Sequence, residues 1–381
     1  MPALEIGGVT IPLTGPIDRS RGMPAADLLL PVLLLAGALL PWGCARDDSI
    51  SPAAGEDPPR EMPAATVSPR AERLLADGPI SGIALGLHSQ DPSYDYRPLL
   101  EEIAATGAPW VELCFNYYQE RNDSTEIGIP DPRSPPWRRV ATTIREAHDL
   151  GLRVLLFPVV LIRDPGEEDW RGTIDPEDRE RWHASYRRLI VAVARGAEKE
   201  GVEILSIGSE FNSRQGDRRE WVELINRIRR AYSGAITYSA NWDSLDGVSF
   251  IDRIDFIGMT TYFSLTSKNN PTVEELTGAW QDLKGKILHW RKKHGLPLIF
   301  TEVGYASQDG ANRNPWTYYT STAVDLEEQV DCFEAFTRVW RGEPTLSGVF
   351  FYNWFGVGGA GDSGYTPRGK PALEVIRRWF E

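Results

Sequence analysis

Cysteine is scarce in this chain. Three occur in 381 residues, Cys44, Cys114 and Cys332, and no two form a CxxC pair. Neither a disulfide framework nor a zinc ribbon is therefore expected. The five histidines are dispersed, and His289 and His294, five apart, would not share a helix face. No metal-ligand cluster emerges from such spacing, and no metal or other cofactor is expected. Positive charge is in deficit: the net charge is −13. That balance argues against a nucleic-acid partner, which needs basic stripes, and fits a neutral or small-molecule substrate. No internal repeat of high similarity is visible.

Long hydrophobic runs are also missing, with one exception. Leu28 to Trp42, LLLPVLLLAGALLPW, is too short to span a bilayer comfortably and carries Pro31. Arg19 and Arg21 precede it, and Gly43 stands just before Cys44. The pattern resembles a bacterial lipoprotein signal, with Cys44 as the lipid-bearing first residue of the mature chain. Pro41 and Trp42 depart from that pattern, and Met23 is an alternative start. A lipid on Cys44 would be the protein's sole link to a membrane. The expectation is an exported protein, anchored in the periplasm or at the cell surface, and otherwise secreted. Residues 45–78 hold Pro52, Pro58, Pro59, Pro63 and Pro69 among Ala, Ser and charged residues without apolar periodicity. They read as a flexible linker after a signal over residues 1–44.

From residue 79 onward the rhythm changes. Eight short apolar runs come in succession: Gly82–Leu87, Trp110–Phe115, Arg153–Val160, Val202–Ile207, Ile236–Ser239, Ile254–Met259, Leu298–Thr301 and Gly348–Tyr352. Helical patterns separate them, at Tyr96–Thr106, Trp137–Leu150, Pro176–Glu200, Arg218–Tyr232, Val273–His294 and Leu326–Trp340, with Pro371–Phe380 after the last. Asp175-Pro176 reads as a helix start, and Gly151, Gly201 and Gly295 as helix ends. The fifth unit is weak, since Asp246–Arg253 leaves room for barely two turns. Unbroken apolar strands alternating with helices imply parallel pairing buried on both faces. Eight such units predict a single (β/α)8 TIM barrel over residues 79–381, of class α/β. A doubly wound open sheet is the alternative, but the first strand ends in GLHSQDP, with no glycine-rich phosphate turn.

In such a barrel, chemistry sits at the C-terminal ends of the strands. The residues just past the runs are polar and aromatic: His88, Asn116, Glu210, Asn241, Trp242, Tyr262, Glu302 and Trp354, with Trp316 in the loop NRNPWTYY after the seventh. Glu210 ends the fourth strand, in SIGSEFNS, and Glu302 the seventh, in IFTEVGY, three units apart. Carboxylates projecting inward from those strands can face each other across a bound sugar. Glycoside hydrolysis needs that arrangement, one carboxylic acid protonating the leaving oxygen and one carboxylate attacking the anomeric carbon. A lone glutamate there would more simply be an ion-pair partner at the barrel rim. The pair, ringed by aromatics, favours catalysis.

These segments carry a resemblance. The pair on strands four and seven resembles clan A of the glycoside hydrolases. Within it, GIALGLHSQDPSYDY, IGSEF, FTEVGYAS and GYTPRGKPALEVIRRW are similar to glycoside hydrolase family 113, over about residues 80–381. Known members of that family are β-mannanases. The resemblance implies a retaining endo-β-1,4-mannanase acting on mannan or manno-oligosaccharides, with Glu210 as acid/base and Glu302 as nucleophile. It implies further that Tyr262 aims the nucleophile and that Trp354 is a platform under the reacting sugar. His88, Asn116, Asn241, Trp242 and Trp316 would line the site. Most clan members carry Asn before the acid/base; here Ser209 stands there, a shorter donor that suits the axial 2-hydroxyl of mannose. The alternatives are a retaining hydrolase of another β-glycan, such as glucan or galactan, and a non-catalytic glycan-binding barrel. The partner is polysaccharide or oligosaccharide in every case, and the chain is expected to act as a monomer. GVGGAG, Gly356 to Gly361, has dinucleotide-motif spacing, but Pro367 and Pro371 come soon after and no helix opens there.

Overall fold

The computed structural model describes residues 3–6, 9–12 and 67–381. Ala3–Ile6 and Val9–Pro12 pair as an antiparallel hairpin. The signal segment as a whole, Cys44 and most of the proposed linker lie outside the described residues. From Ile80 the chain builds eight parallel strands, numbered here within the barrel. They are β1 (Ile80–Gly86), β2 (Trp110–Gln119), β3 (Arg153–Ile162), β4 (Ile204–Ser209), β5 (Ala235–Ala240), β6 (Phe256–Thr260), β7 (Leu298–Val303) and β8 (Leu346–Phe351). Each pairs with its sequence neighbours, and β8 closes on β1, so no edge is left unpaired.

Eight helices accompany the strands: α1 (Pro69–Ala76), α2 (Arg97–Ala104), α3 (Trp137–Asp149), α4 (Arg179–Glu200), α5 (Arg218–Ala231), α6 (Val273–His294), α7 (Leu326–Trp340) and α8 (Ala372–Phe380). The fifth unit has no α-helix, only the short turns Leu245–Gly247 and Ile251–Arg253, as its length required. Two expectations are corrected. The linker reading fails at α1. Ser68 caps this helix by accepting from the Ala71 amide at 3.2 Å, Ala71 is buried, and Val67, Leu74 and Leu75 pack on the barrel interior. A helix of eight residues, about two turns, is too short to stand out among prolines. The start of α4 is set by Asp178, not Asp175, because the Asp178 carboxylate accepts from the Arg181 amide. Gly201 and Gly295 do end α4 and α6, each with a φ of +72°.

Strand alternation sorts the core into two layers. Ile80, Ala84, Trp110, Cys114, Leu155, Phe157, Ile204, Ala235, Phe256, Ile299 and Phe350 fill the barrel interior. The opposite faces, including Ile83, Leu113, Leu156, Leu205, Ile257, Phe300 and Phe351, pack outward against the helices. Nearer the mouth the interior turns polar, where Ser239 and Thr301 share a hydroxyl–hydroxyl bond of 2.5 Å across the strands.

The motif TPRGKP after β8 secures the barrel's last long loop. Lys370, with its side chain fully buried, donates to Ser307 Oγ, Asp362 Oδ1 and the Gly364 carbonyl at 2.8 Å each. Arg368 grips Glu102 of α2 with two nitrogens, at 2.6 and 2.8 Å. Removing one member of a buried ion pair strands the other. Lys370→Met is therefore expected to lose about 3 kcal/mol of stability, read as a fall in the urea midpoint at unchanged slope.

Candidate active site

β4 does not stop at a glycine or proline, and the reason is visible in its last two residues. The pairing of β4 with β5 slips between Ser206 and Ser209, and the Glu210 amide donates to the Ser239 carbonyl at 2.8 Å. Glu210 then adopts a φ of +54°, the sole non-glycine in the left-handed region among the described residues. That conformation costs a residue with a Cβ about 1–2 kcal/mol and is typical of functional positions. Phe211 locks it from behind. Its ring packs between Trp182, Tyr186 and Trp221, and its amide donates to the Tyr238 hydroxyl at 2.9 Å. The Glu210 carboxylate is left at the barrel mouth, 5 % exposed.

Glu302 is the last residue but one of β7, just after a register slip against β6. It is 6 % exposed and accepts from the Tyr262 hydroxyl at 2.7 Å. The Glu302 carboxyl is raised from the usual range to about 7, first by burial and second by the charge of Glu210, against the opposing pull of Arg171 and the Tyr262 bond. The two carboxylates thus feel each other across the mouth. The Arg171 guanidinium lies between their fields: it is ion-paired with Glu210 and attracted to Glu302. No reading of strand ends could find Arg171. It sits on a short turn, Arg171–Thr173, midway along the β3–α4 loop, far in sequence from either strand or helix end.

The other candidates divide. Tyr262 forms a small apolar cluster with Ala306 and Tyr365, and Trp242, Trp316 and Tyr352 pack against it. Trp242 and Trp316 stack at 5.9 Å with an interplanar angle of 25°. Asn241 is buried beside Thr260, whose hydroxyl reaches its Oδ1 at 3.4 Å. His88, just past β1, and Asn116, inside β2, meet at 3.5 Å, and burial lowers the His88 imidazole to about 4, so it is neutral. Gly86 makes room for that ring, since a Cβ there would lie 2.3 Å from it. Ser209 Oγ, Asn353 Oδ1 and Arg171 Nε are buried without a partner, which leaves them available to a ligand.

Trp354 does not join this group. Its indole donates to Glu102 Oε2 of α2 at 2.9 Å, and the ring belongs to the outer core behind the barrel. The aromatic at the mouth is Tyr352, edge-on to Tyr262 at 6.4 Å and bonded through its hydroxyl to that of Tyr318 at 2.6 Å. The signal for this was present: Phe350 faces inward and Phe351 outward, so period-two alternation sends Tyr352 into the mouth. Away from the mouth, Asp309, Asp325 and Glu328 bring three carboxylates close together. Glu328 is already engaged by the Gly310 and Asn312 amides and Asp325 caps α7.

A closed parallel barrel with two interacting glutamates at the ends of its fourth and seventh strands, rimmed by aromatics, defines a glycoside hydrolase. The model of Glycoside Hydrolase Family 113 matches residues 93–358, and the chain belongs to that family. Among solved structures it is similar to the family 113 β-mannanase AaManA from Alicyclobacillus acidocaldarius, determined in complex with ManMIm. Identity is 28%, the TM-score is 0.71, and the match covers 80% of this chain and 97% of that one. A family 113 β-1,4-mannanase, also solved as a complex, is 23% identical with a TM-score of 0.71, over 79% and 98% of the two chains. The β-glucuronidase of Faecalibacterium prausnitzii shares the barrel fold at 13% identity and a TM-score of 0.55, over 79% of this chain and 48% of that one. No curated protein matches the chain.

Proposed function

We propose that the protein is a retaining endo-β-1,4-mannanase acting on mannan or manno-oligosaccharides. The observation that carries the reading is the Glu302 carboxylate at the end of the seventh strand, fixed by the Tyr262 hydroxyl and raised by the charge of a second carboxylate, Glu210, at the end of the fourth. In the first half of the reaction Glu302 attacks the anomeric carbon while Glu210 donates a proton to the departing glycosidic oxygen. In the second half a water attacks the same carbon, its proton passes to Glu210, and the bond to Glu302 breaks with its electron pair returning to the carboxylate. Two inversions leave the configuration retained. Tyr262 aims the attacking oxygen and stabilises its charge until attack. Tyr352 offers the reacting sugar an aromatic face, and the stacked Trp242 and Trp316 offer one to a neighbouring unit, which supports internal attack on a chain.

Mannose as the sugar is supported by the family 113 β-mannanase to which the chain is similar over nearly that protein's whole length. The free hydroxyl of Ser209, where the clan pattern has a longer amide, suits a 2-hydroxyl that points axially. The test is the product profile on mannan, manno-oligosaccharides, β-glucan and β-galactan, with the anomeric configuration followed by NMR. Release of β-configured manno-oligosaccharides supports the reading. Turnover confined to glucan or galactan moves the assignment to another sugar, and initial α-products overturn retention.

We propose also that the enzyme is exported and held at a membrane by a lipid on Cys44. Cys44→Ser is expected to move the protein from the membrane to the soluble fraction on cell fractionation, and unchanged partition counts against the anchor.

A further inference from the structure

Beyond the two glutamates, the loops after β1 and β8 bring a second group of side chains together at the mouth. The Phe355 ring meets the His88 ring edge-on at 5.6 Å and 82°, and the Tyr94 ring at 6.4 Å and 65°. Both loops are fastened. After β1, the Leu87 amide donates to the Cys114 carbonyl at 2.7 Å and the Ser89 amide to the Tyr96 hydroxyl at 3.0 Å. The Tyr96 ring in turn packs on Tyr94 at 4.8 Å. After β8, the Trp354 amide donates to the Ala84 carbonyl at 2.7 Å and Arg368 Nη1 to the Gly356 carbonyl at 2.6 Å, so Phe355 is held from either side. Phe355, Tyr94 and His88 nevertheless stay partly exposed. Fixed, half-buried rings suit a sugar, whose apolar C–H face can cover an aromatic one. Asn116 Nδ2 reaches His88 Nδ1 at 3.5 Å, which leaves the imidazole proton on Nε2, a donor with no protein partner among the described residues. Burial alone lowers the His88 imidazole, whereas the charge of Glu302 adds to burial at Tyr262 and Tyr352. His88 thus stands one step out from the reacting centre.

The ring order fixes which end of a glycan chain this group meets. β8 and β1 stand across the closed barrel from β4 and β5. Glu210 follows β4, and Asp243, after β5, is bonded at 3.3 Å to Asn212, two residues past Glu210. A carboxyl that protonates the glycosidic oxygen lies on the side of the departing unit. The departing unit therefore lies toward β4 and β5, and the retained units toward β8 and β1. We propose that Phe355, Tyr94 and His88 form the subsite for the mannose unit next to the attacked one on its non-reducing side, with Phe355 as the stacking face and His88 Nε2 as donor to a ring hydroxyl. A mannan chain then crosses the mouth with its non-reducing end toward Phe355 and its reducing end toward Trp242. Contact with this remote unit places the attacked one, so it acts on kcat as well as on KM.

The subsite rests on the β-mannanase reading, and the test keeps the two apart. Wild type, Phe355→Ala, Phe355→Leu and His88→Phe are compared on 2,4-dinitrophenyl β-mannobioside and β-mannoside, which share a leaving group and differ by the one unit. Wild type is expected to favour the bioside in kcat/KM by about tenfold or more. Phe355→Ala is expected to remove most of that preference. Phe355→Leu, which keeps apolar bulk without a ring face, and His88→Phe, which keeps a ring without the donor, are each expected to remove part of it. A merely structural role would slow both substrates alike and leave the ratio where it was. The direction of the chain is read on mannotetraose labelled with oxygen-18 at its reducing end. Phe355→Ala is expected to raise labelled mannotriose at the expense of labelled mannobiose, because a chain with a weaker hold on its non-reducing side slides toward the other. An unchanged ratio overturns the subsite, and a rise in labelled mannose instead overturns its side. Turnover of glucan or galactan in place of mannan removes the mannose reading alone, and the same pair of aryl glycosides in that sugar then decides the subsite.

Discussion

Glu302→Gln is expected to lower kcat on manno-oligosaccharides by about 10⁴-fold or more, the scale of losing a nucleophile, with KM little changed. The amide keeps the volume of the side chain and can still accept from the Tyr262 hydroxyl, so the bond at 2.7 Å need not be lost with the charge. The attacking electron pair is lost. Incubation with a 2-deoxy-2-fluoro-mannoside of good leaving ability should therefore add the mass of one sugar to wild type and nothing to the variant. Turnover within tenfold of wild type would remove Glu302 from the role. A second readout comes from stability. The Glu302 carboxyl is raised to about 7 by burial and by Glu210, so the folded state holds this proton more tightly than the unfolded chain does. The stabilisation from that proton is fully present below the ordinary carboxylate range, and is lost as pH rises through about 7. Gln carries no such penalty, so the variant should melt higher than wild type at pH 8 and similarly at pH 4, an instance of function held against stability. The same ionisation bounds activity. Above about 7 the coupled carboxylates together lose the proton the first step needs, and kcat/KM is expected to fall there.

Glu210→Ala is expected to lower kcat on mannan by about 10²–10⁴-fold, and much less on substrates with an activated leaving group in their first step. Azide should then restore turnover on those substrates and yield a β-mannosyl azide. A small anion can enter the space left by the carboxylate and attack without needing a base. The structure adds a requirement to this experiment. Glu210 holds a φ of +54° and is paired with Arg171, so truncation also releases the guanidinium into the mouth, where it can bind azide. Glu210→Gln, which keeps the side-chain volume, is the companion variant. Loss of activity in both, without rescue of the alanine form on activated substrates, would argue that Glu210 is structural.

Much of this protein is determined by its sequence alone. Eight apolar runs alternating with amphipathic stretches imply a closed parallel barrel because each strand is buried on both faces, and the observed strands fall on all eight runs. The seven helices from α2 to α8 lie where the periodicity puts them, and the short fifth crossover leaves only Leu245–Gly247 and Ile251–Arg253 to be shaped as single turns. Glu210 and Glu302 were visible because a charged residue ending an apolar strand is costly and rarely accidental. Tertiary structure alone decided the rest. Arg171 reaches the mouth because its loop is tied to Ser213, a contact between chain segments that no local pattern encodes. Trp354 turns to Glu102 and Tyr352 takes the mouth, since alternation fixes the face while the partner across it is chosen by packing. The proton affinity of Glu302 depends on how deeply closure buries it and on which charges closure brings near. Periodicity is a property of neighbours in sequence, whereas burial and field belong to neighbours in space.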